Sequence, residues 1–152
     1  MYLKRKNSLR LRNYDYSNQG PYFVTICSYR KWRLFDKENT KNTVMKILHH
    51  IAQRSKVTLH ASAIAFDHLH LLLTLPENKR VILSNWIGDI KETVYHFLRR
   101  SGGDGTPPLR GRVWQRGFYD HVIRNGADFL EKARYIENHP FKESTNLYTE
   151  WH

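Results

Sequence analysis

The segment Phe66–Leu75, FDHLHLLLTL, constrains the fold more than any other stretch of the chain. It reads as a buried β-strand, yet it places two histidines where a core strand takes aliphatics. In extended backbone, alternate side chains point to opposite faces, and positions two apart lie about 6.6 Å from each other along the strand. His68 and His70 therefore share one face, while Leu69, Leu71 and Leu73 share the other. A helix would not bring an i, i+2 pair together, so everything inferred from the pair depends on this strand.

The elements around it follow from periodicity. Gly20-Pro21 introduces YFVTICSYR, where Phe23, Thr25 and Cys27 alternate with Tyr22, Val24 and Ile26, a β-branched strand pattern. Residues 31–43 are polar and read as a loop, with Asn42 or Thr43 as N-cap. Val44, Ile47, Leu48 and Ile51 then fall at helical spacing. KVTLHASAIAF runs almost directly into the histidine strand, with Phe66-Asp67 as turn, so the two predict a hairpin. Leu83, Trp86, Ile87, Ile90, Val94 and Phe97 mark a second helix, opened near Ser84. Strand, helix, strand, strand, helix is the start of a ferredoxin-like split βαβ arrangement, an α+β fold whose antiparallel sheet carries both helices on one face. SGGDGTPPLRGR is a linker, and VWQRGFYDHVIRN holds at most a short strand. Phe129, Leu130, Ala133 and Ile136 define a C-terminal helix ended by Pro140. The expected organisation is a basic arm over 1–19, one domain over 20–142 and a tail over 143–152.

Lys and Arg number 25 against 14 acids, a formal charge of +11, which points to a polyanionic partner such as nucleic acid. The single cysteine, Cys27, excludes an internal disulfide or a Cys-rich zinc site and is expected to be a buried, inert thiol. No signal peptide or spanning apolar run is present, so a cytoplasmic protein without membrane attachment is expected.

Two neutral imidazoles on one strand face can converge on a divalent cation; the bland alternative is a pair of hydrogen-bonded sheet histidines. Beside a basic surface, such a metal would polarise a phosphodiester, and cleavage then needs a nucleophile. A tyrosine suits DNA strand transfer because its phosphate ester stores the cut bond. Nine tyrosines compete. Tyr95 and Tyr135 lie in helices that have packing reasons for an aromatic; Tyr119 differs in following the Gly-Pro linker beside Arg116, Asp120 and His121, and on spacing alone packing beside Phe118 is an equal reading of it.

DHLHLLL resembles the HUH motif (His, bulky hydrophobic, His) of IS200-like single-tyrosine transposases. GPYFVTICSYRKWRLF, VWQRGFYDHVIRN and RYIENHPFK resemble the REP-associated tyrosine transposases within that family, in the same order over nearly the whole chain. The resemblance implies a ferredoxin-like fold with His68 and His70 binding Mg²⁺ or Mn²⁺. It also implies Tyr119 attacking single-stranded DNA to give a 5′-phosphotyrosine and a free 3′-OH, with substrates that are hairpins from repetitive extragenic palindromes. Insertion-sequence relatives often carry a Gln metal ligand four residues after the tyrosine; counted from Tyr119 that position is Ile123. Asp120, His121, Asn125, water or DNA are the candidates to replace it, with His121 preferred. A monomer is favoured, with a homodimer as the alternative.

Basic-aromatic clusters supply candidate DNA contacts: Lys4, Arg5, Lys6, Arg10 and Arg12 in the arm, Arg30 and Arg33 after the first strand, and Arg112, Trp114, Gln115 and Arg116 before Tyr119. Two rivals stand beside the nuclease. One is a module that holds structured nucleic acid without cutting it. The other is a two-histidine RNA phosphoesterase, for which His60-Ala-Ser62 supplies only one of the two H-x-[ST] motifs required.

Overall fold

A computed structural model describes residues 18–78, 80–101 and 112–144. The lysines and arginines of the arm, 4 to 12, and the end of the tail lie outside the described residues.

Five strands, β1 (Tyr22–Cys27), β2 (Thr58–Ile64), β3 (His68–Thr74), β4 (Tyr119–Val122) and β5 (Lys142–Ser144), form one sheet in the order β4-β1-β3-β2-β5. Each recorded pairing is antiparallel. Helices α1 (Glu38–Ser55) and α2 (Leu83–Ser101) pack on one face, as the element order predicts. Helix α3 (Gly126–Glu137) follows β4 and packs on the opposite face.

The alternation read from the sequence decides which face each side chain enters. Tyr22, Val24 and Ile26 of β1 and Leu69, Leu71 and Leu73 of β3 join the main core with Leu48 of α1 and Ile90 and Val94 of α2. Each such aliphatic contributes roughly 1.5–3 kcal/mol by leaving water. The other face is narrower. Ala61 and Ala63 of β2 are small enough for Phe129, Ala133 and Ile136 of α3 to settle over Leu72. A register shift between Leu59 and Ala61 puts two successive β2 residues, His60 and Ala61, on this second face.

Two elements differ from the sequence reading. Helix α1 begins at Glu38, five residues before the expected Thr43, and neither Asn42 nor Thr43 caps it; Lys37 holds the N-cap position without a side-chain bond. Its first turn is polar because it is solvated, so hydrophobic spacing begins only where the helix meets the sheet. The preceding loop is anchored by Phe35, fully buried, whose N–H donates to the Phe66 carbonyl at 3.0 Å. Strand β5, which the sequence reading places in no element, pairs with β2.

Gly20 has φ +97°, and a Cβ there would lie 2.6 Å from the Tyr22 ring, so only glycine fits this approach to β1.

Candidate metal centre and nucleophile

Residues opposite one another in an antiparallel ladder share a face. Register therefore defines a row across the sheet: Tyr119 on β4, Thr25 on β1, His70 on β3 and Ala63 on β2. His68, opposite Cys27, extends the same face toward the β2–β3 turn. The His68 and His70 rings lie 4.5 Å apart between centroids.

A third imidazole joins them. His139, in the turn just beyond α3, brings a ring nitrogen to the cluster, and ligand atoms of His68, His70 and His139 all lie within 4.8 Å of one another. His68 and His70 are each oriented by a neighbour. His68 Nδ1 donates to Asp67 Oδ1 at 2.7 Å, which leaves Nε2 as its available ligand atom. His70 Nδ1 lies 3.0 Å from Thr25 Oγ1, and its Nε2 is buried with no hydrogen-bond partner among the described residues; the same is true of His139 Nδ1. Buried unsatisfied nitrogens are costly, and here they stand beside one another. Oriented neutral imidazoles with unsatisfied nitrogens fit a divalent cation. Burial, then the neighbouring His68 and His139, push His70 down to about 3, so its ring stays neutral. Burial and His68 also lower His139.

Among the tyrosines, Tyr135 of α3 stands against this cluster. Its ring centroid lies 5.1 Å from that of His70, edge-on, and 6.0 Å from Phe23, which itself stacks on His70 at 5.4 Å. Tyr135 is also 54% exposed, so an incoming strand can reach it. Tyr119 shares the sheet face but sits on the far side of β1 from β3, and its hydroxyl accepts from Gln115 Nε2 at 2.9 Å. Counted from Tyr135, the fourth residue is His139. That is the spacing at which insertion-sequence relatives carry their third ligand, and one helical turn brings such a pair together. The signal was present in RYIENHP, but a helix offered an aromatic a packing reason, which the exposure of Tyr135 removes.

His121 is not in the cluster. Its Nε2 is 2.7 Å from Asp128 Oδ2, at the start of α3, where Asn125 caps the helix by accepting from the Asp128 N–H. Although burial works against it, hydrogen bonds from His121, Arg124 N–H and Lys132 hold the Asp128 carboxyl below its ordinary range. Ile123 is core under α3. The phosphoesterase motif is split by the sheet: His60 bonds Thr74 and faces Phe129, whereas Ser62 points to Met45 of α1. Cys27 is half-buried rather than core, and burial together with Asp67 pushes its thiol up.

The expected DNA contacts divide into several environments. Arg30, at φ +54°, and Arg112 both lie 5.3 Å over the Tyr29 ring. Arg33 pairs with Asp36 and stacks 3.9 Å over Phe66. Arg116 is exposed, whereas Trp114 is 8% exposed, and its Nε1 donates to the Lys91 carbonyl, so it serves the core. Gln115 is turned toward Tyr119.

Histidines gathered on a sheet face stand beside a helix-borne tyrosine, an arrangement in keeping with a single-tyrosine transposase. The family described as "Transposase IS200 like" matches residues 16–139, so the chain belongs to that family, whose members are enzymes acting on DNA. An uncharacterised Haemophilus influenzae protein is 26% identical over 173 residues, spanning 97% of this chain and 96% of its own. The REP-associated tyrosine transposase of Escherichia coli is 30% identical over 84 residues, covering 55% of this chain and 44% of its own. A REP-associated tyrosine transposase solved bound to a REP hairpin shares the fold, with a TM-score of 0.67 at 22% identity, covering 88% of this chain and 81% of that one. Among the described residues no helix is long and apolar enough to cross a membrane.

Proposed function

We propose that the protein is a metal-dependent single-strand DNA endonuclease and strand transferase that acts on palindromic hairpin DNA through a 5′-phosphotyrosine intermediate, with Tyr135 as nucleophile. The observation that carries this reading is the edge-on contact between the exposed Tyr135 ring and His70, which sets a phenol beside the three-histidine cluster. The hairpin substrate is supported by the solved relative, which was bound to a REP hairpin.

His68, His70 and His139 would hold Mg²⁺ or Mn²⁺, which supplies Lewis-acid polarisation of a phosphate oxygen. The chain's own residues do the rest. Asp67 and Thr25 keep the first two imidazoles in one tautomer and orientation. A free phenol near pKa 10 is ionised only about one part in a thousand at pH 7, so its neighbourhood must favour the phenolate. The Tyr135 oxygen forms a bond to phosphorus as the bond to the 3′ oxygen breaks; the phenol loses its proton and the leaving oxygen gains one. A second 3′-OH reverses the step and rejoins the strand with no external energy source. The three imidazoles and the tyrosine come from one chain, which suits a monomer.

Incubating the protein with hairpin DNA and Mn²⁺, then denaturing it, tests this directly. Wild type and Tyr119→Phe should show a covalent DNA adduct, and Tyr135→Phe should not. The reverse pattern would return the nucleophile to Tyr119. Absence of any adduct from wild type, with hairpin binding intact, would leave a non-cutting module.

A further inference from the structure

Beside the histidine cluster lies a cleft of about 510 Å³ that the proposed chemistry does not use, within the size range of small-ligand sites. Its floor and sides are mostly apolar: Ile64 and Ala65 at the end of β2, Phe66 at the hairpin turn, and Pro140-Phe141 after α3. His139 is both a wall of this cleft and a member of the cluster. Phe66 is 48% exposed, although its carbonyl is held by the Phe35 N–H, so the ring is presented on a fixed turn. Two cations flank it. The Arg33 guanidinium lies 3.9 Å over the ring, and Lys41 Nζ lies 5.4 Å from Phe66 and 5.9 Å from Phe141.

We infer that this cleft takes one unpaired nucleobase of the strand whose phosphate lies at the histidines. The inference rests on the nuclease reading for the position of that phosphate. Three observations select a base over other occupants. Phe66 and Phe141 offer aromatic faces, which stack on any base. Asp36 and Glu38 belong to the lining; Arg33 already engages the Asp36 carboxylate, and Glu38 disfavours a phosphate and can accept from base N–H groups. Lys41 in the lining and Arg33 over the Phe66 ring supply positive charge for the backbone of a strand entering this way. Because His139 borders both sites, the base and the phosphate it belongs to, or the next one along, fit without a gap. Such a pocket would read sequence at a single position beside the cut, in contrast to the sequence-tolerant charge of the surface.

The test uses a hairpin oligonucleotide with an unpaired flank, through which a single 2-aminopurine is moved, bound to the full-length Tyr135→Phe protein so that no cutting intervenes. Fluorescence should be quenched at one flank position by stacking. In a Tyr135→Phe/Phe66→Ala protein it should recover at that position alone, with affinity for the flanked hairpin falling about tenfold and affinity for a blunt hairpin unchanged. Phe66 is half exposed, so the substitution leaves the core intact. No quenched position, or quenching that survives Phe66→Ala, overturns the inference. The adduct assay on wild type separates the two ideas: an adduct without quenching removes only the base pocket, and quenching without an adduct removes only the nuclease.

Discussion

Thr25 Oγ1 lies 3.0 Å from His70 Nδ1 across β1 and β3, and this bond selects the imidazole nitrogen that faces the cluster. With Nδ1–H donated to the threonine, Nε2 carries the lone pair toward His68 and His139. A strand register set by core packing on one face thus prepares ligand chemistry on the other.

Thr25→Val keeps the shape and removes the acceptor. Mn²⁺ affinity should fall roughly 10- to 100-fold, as expected when an outer partner of a metal-bound histidine is lost, and isothermal titration will measure it. Unchanged affinity would mean that packing by Phe23 alone holds the ring.

His139→Ala should weaken Mn²⁺ binding more than Thr25→Val does, whereas His139→Gln should restore part of it, since Gln reaches the same site from a position one turn beyond Tyr135. His121→Ala should leave Mn²⁺ affinity where it was and cost only about 1 kcal/mol of stability, because its bond is to Asp128. If His121→Ala abolished metal binding, the third ligand would be the one preferred from the sequence.

Lys91 Nζ donates to the carbonyls of Gln115 (3.1 Å) and Gly117 (2.7 Å), while Trp114 Nε1 donates to the Lys91 carbonyl, so α2 clamps the segment that leads into β4. Lys91→Met leaves two carbonyls without that donor. A loss of about 1–3 kcal/mol is expected, read as a lower urea midpoint at unchanged slope.

The metal-free protein should lose stability in mild acid. Burial pushes the folded His70 down to about 3 from its ordinary 6.5, so between those values the unfolded chain takes up a proton that the folded chain refuses. The penalty is absent well above pH 6.5 and grows as pH falls toward 3, with about 2 kcal/mol lost by pH 5. His139, also lowered, acts in the same direction. Denaturation midpoints in chelator across pH 4–7 will show the slope, and His70→Gln should flatten it.

The order of the first five elements, the hairpin at Phe66-Asp67 and the face shared by His68 and His70 were legible in the chain because each depends on local periodicity. Alternation in β1 and β3 places every second residue whatever else happens. Position along the chain could not show that α3 crosses to the far face, which is decided by how Phe129, Ala133 and Ile136 meet the small residues of β2, or that β5 closes the sheet edge by pairing with β2. The same crossing carries Tyr135 and His139 to the two histidines from 65 to 71 residues away in sequence, while Gln115 turns toward Tyr119. Sequence by itself settled what the strand could present; only the packing of a distant helix settled what stands opposite it.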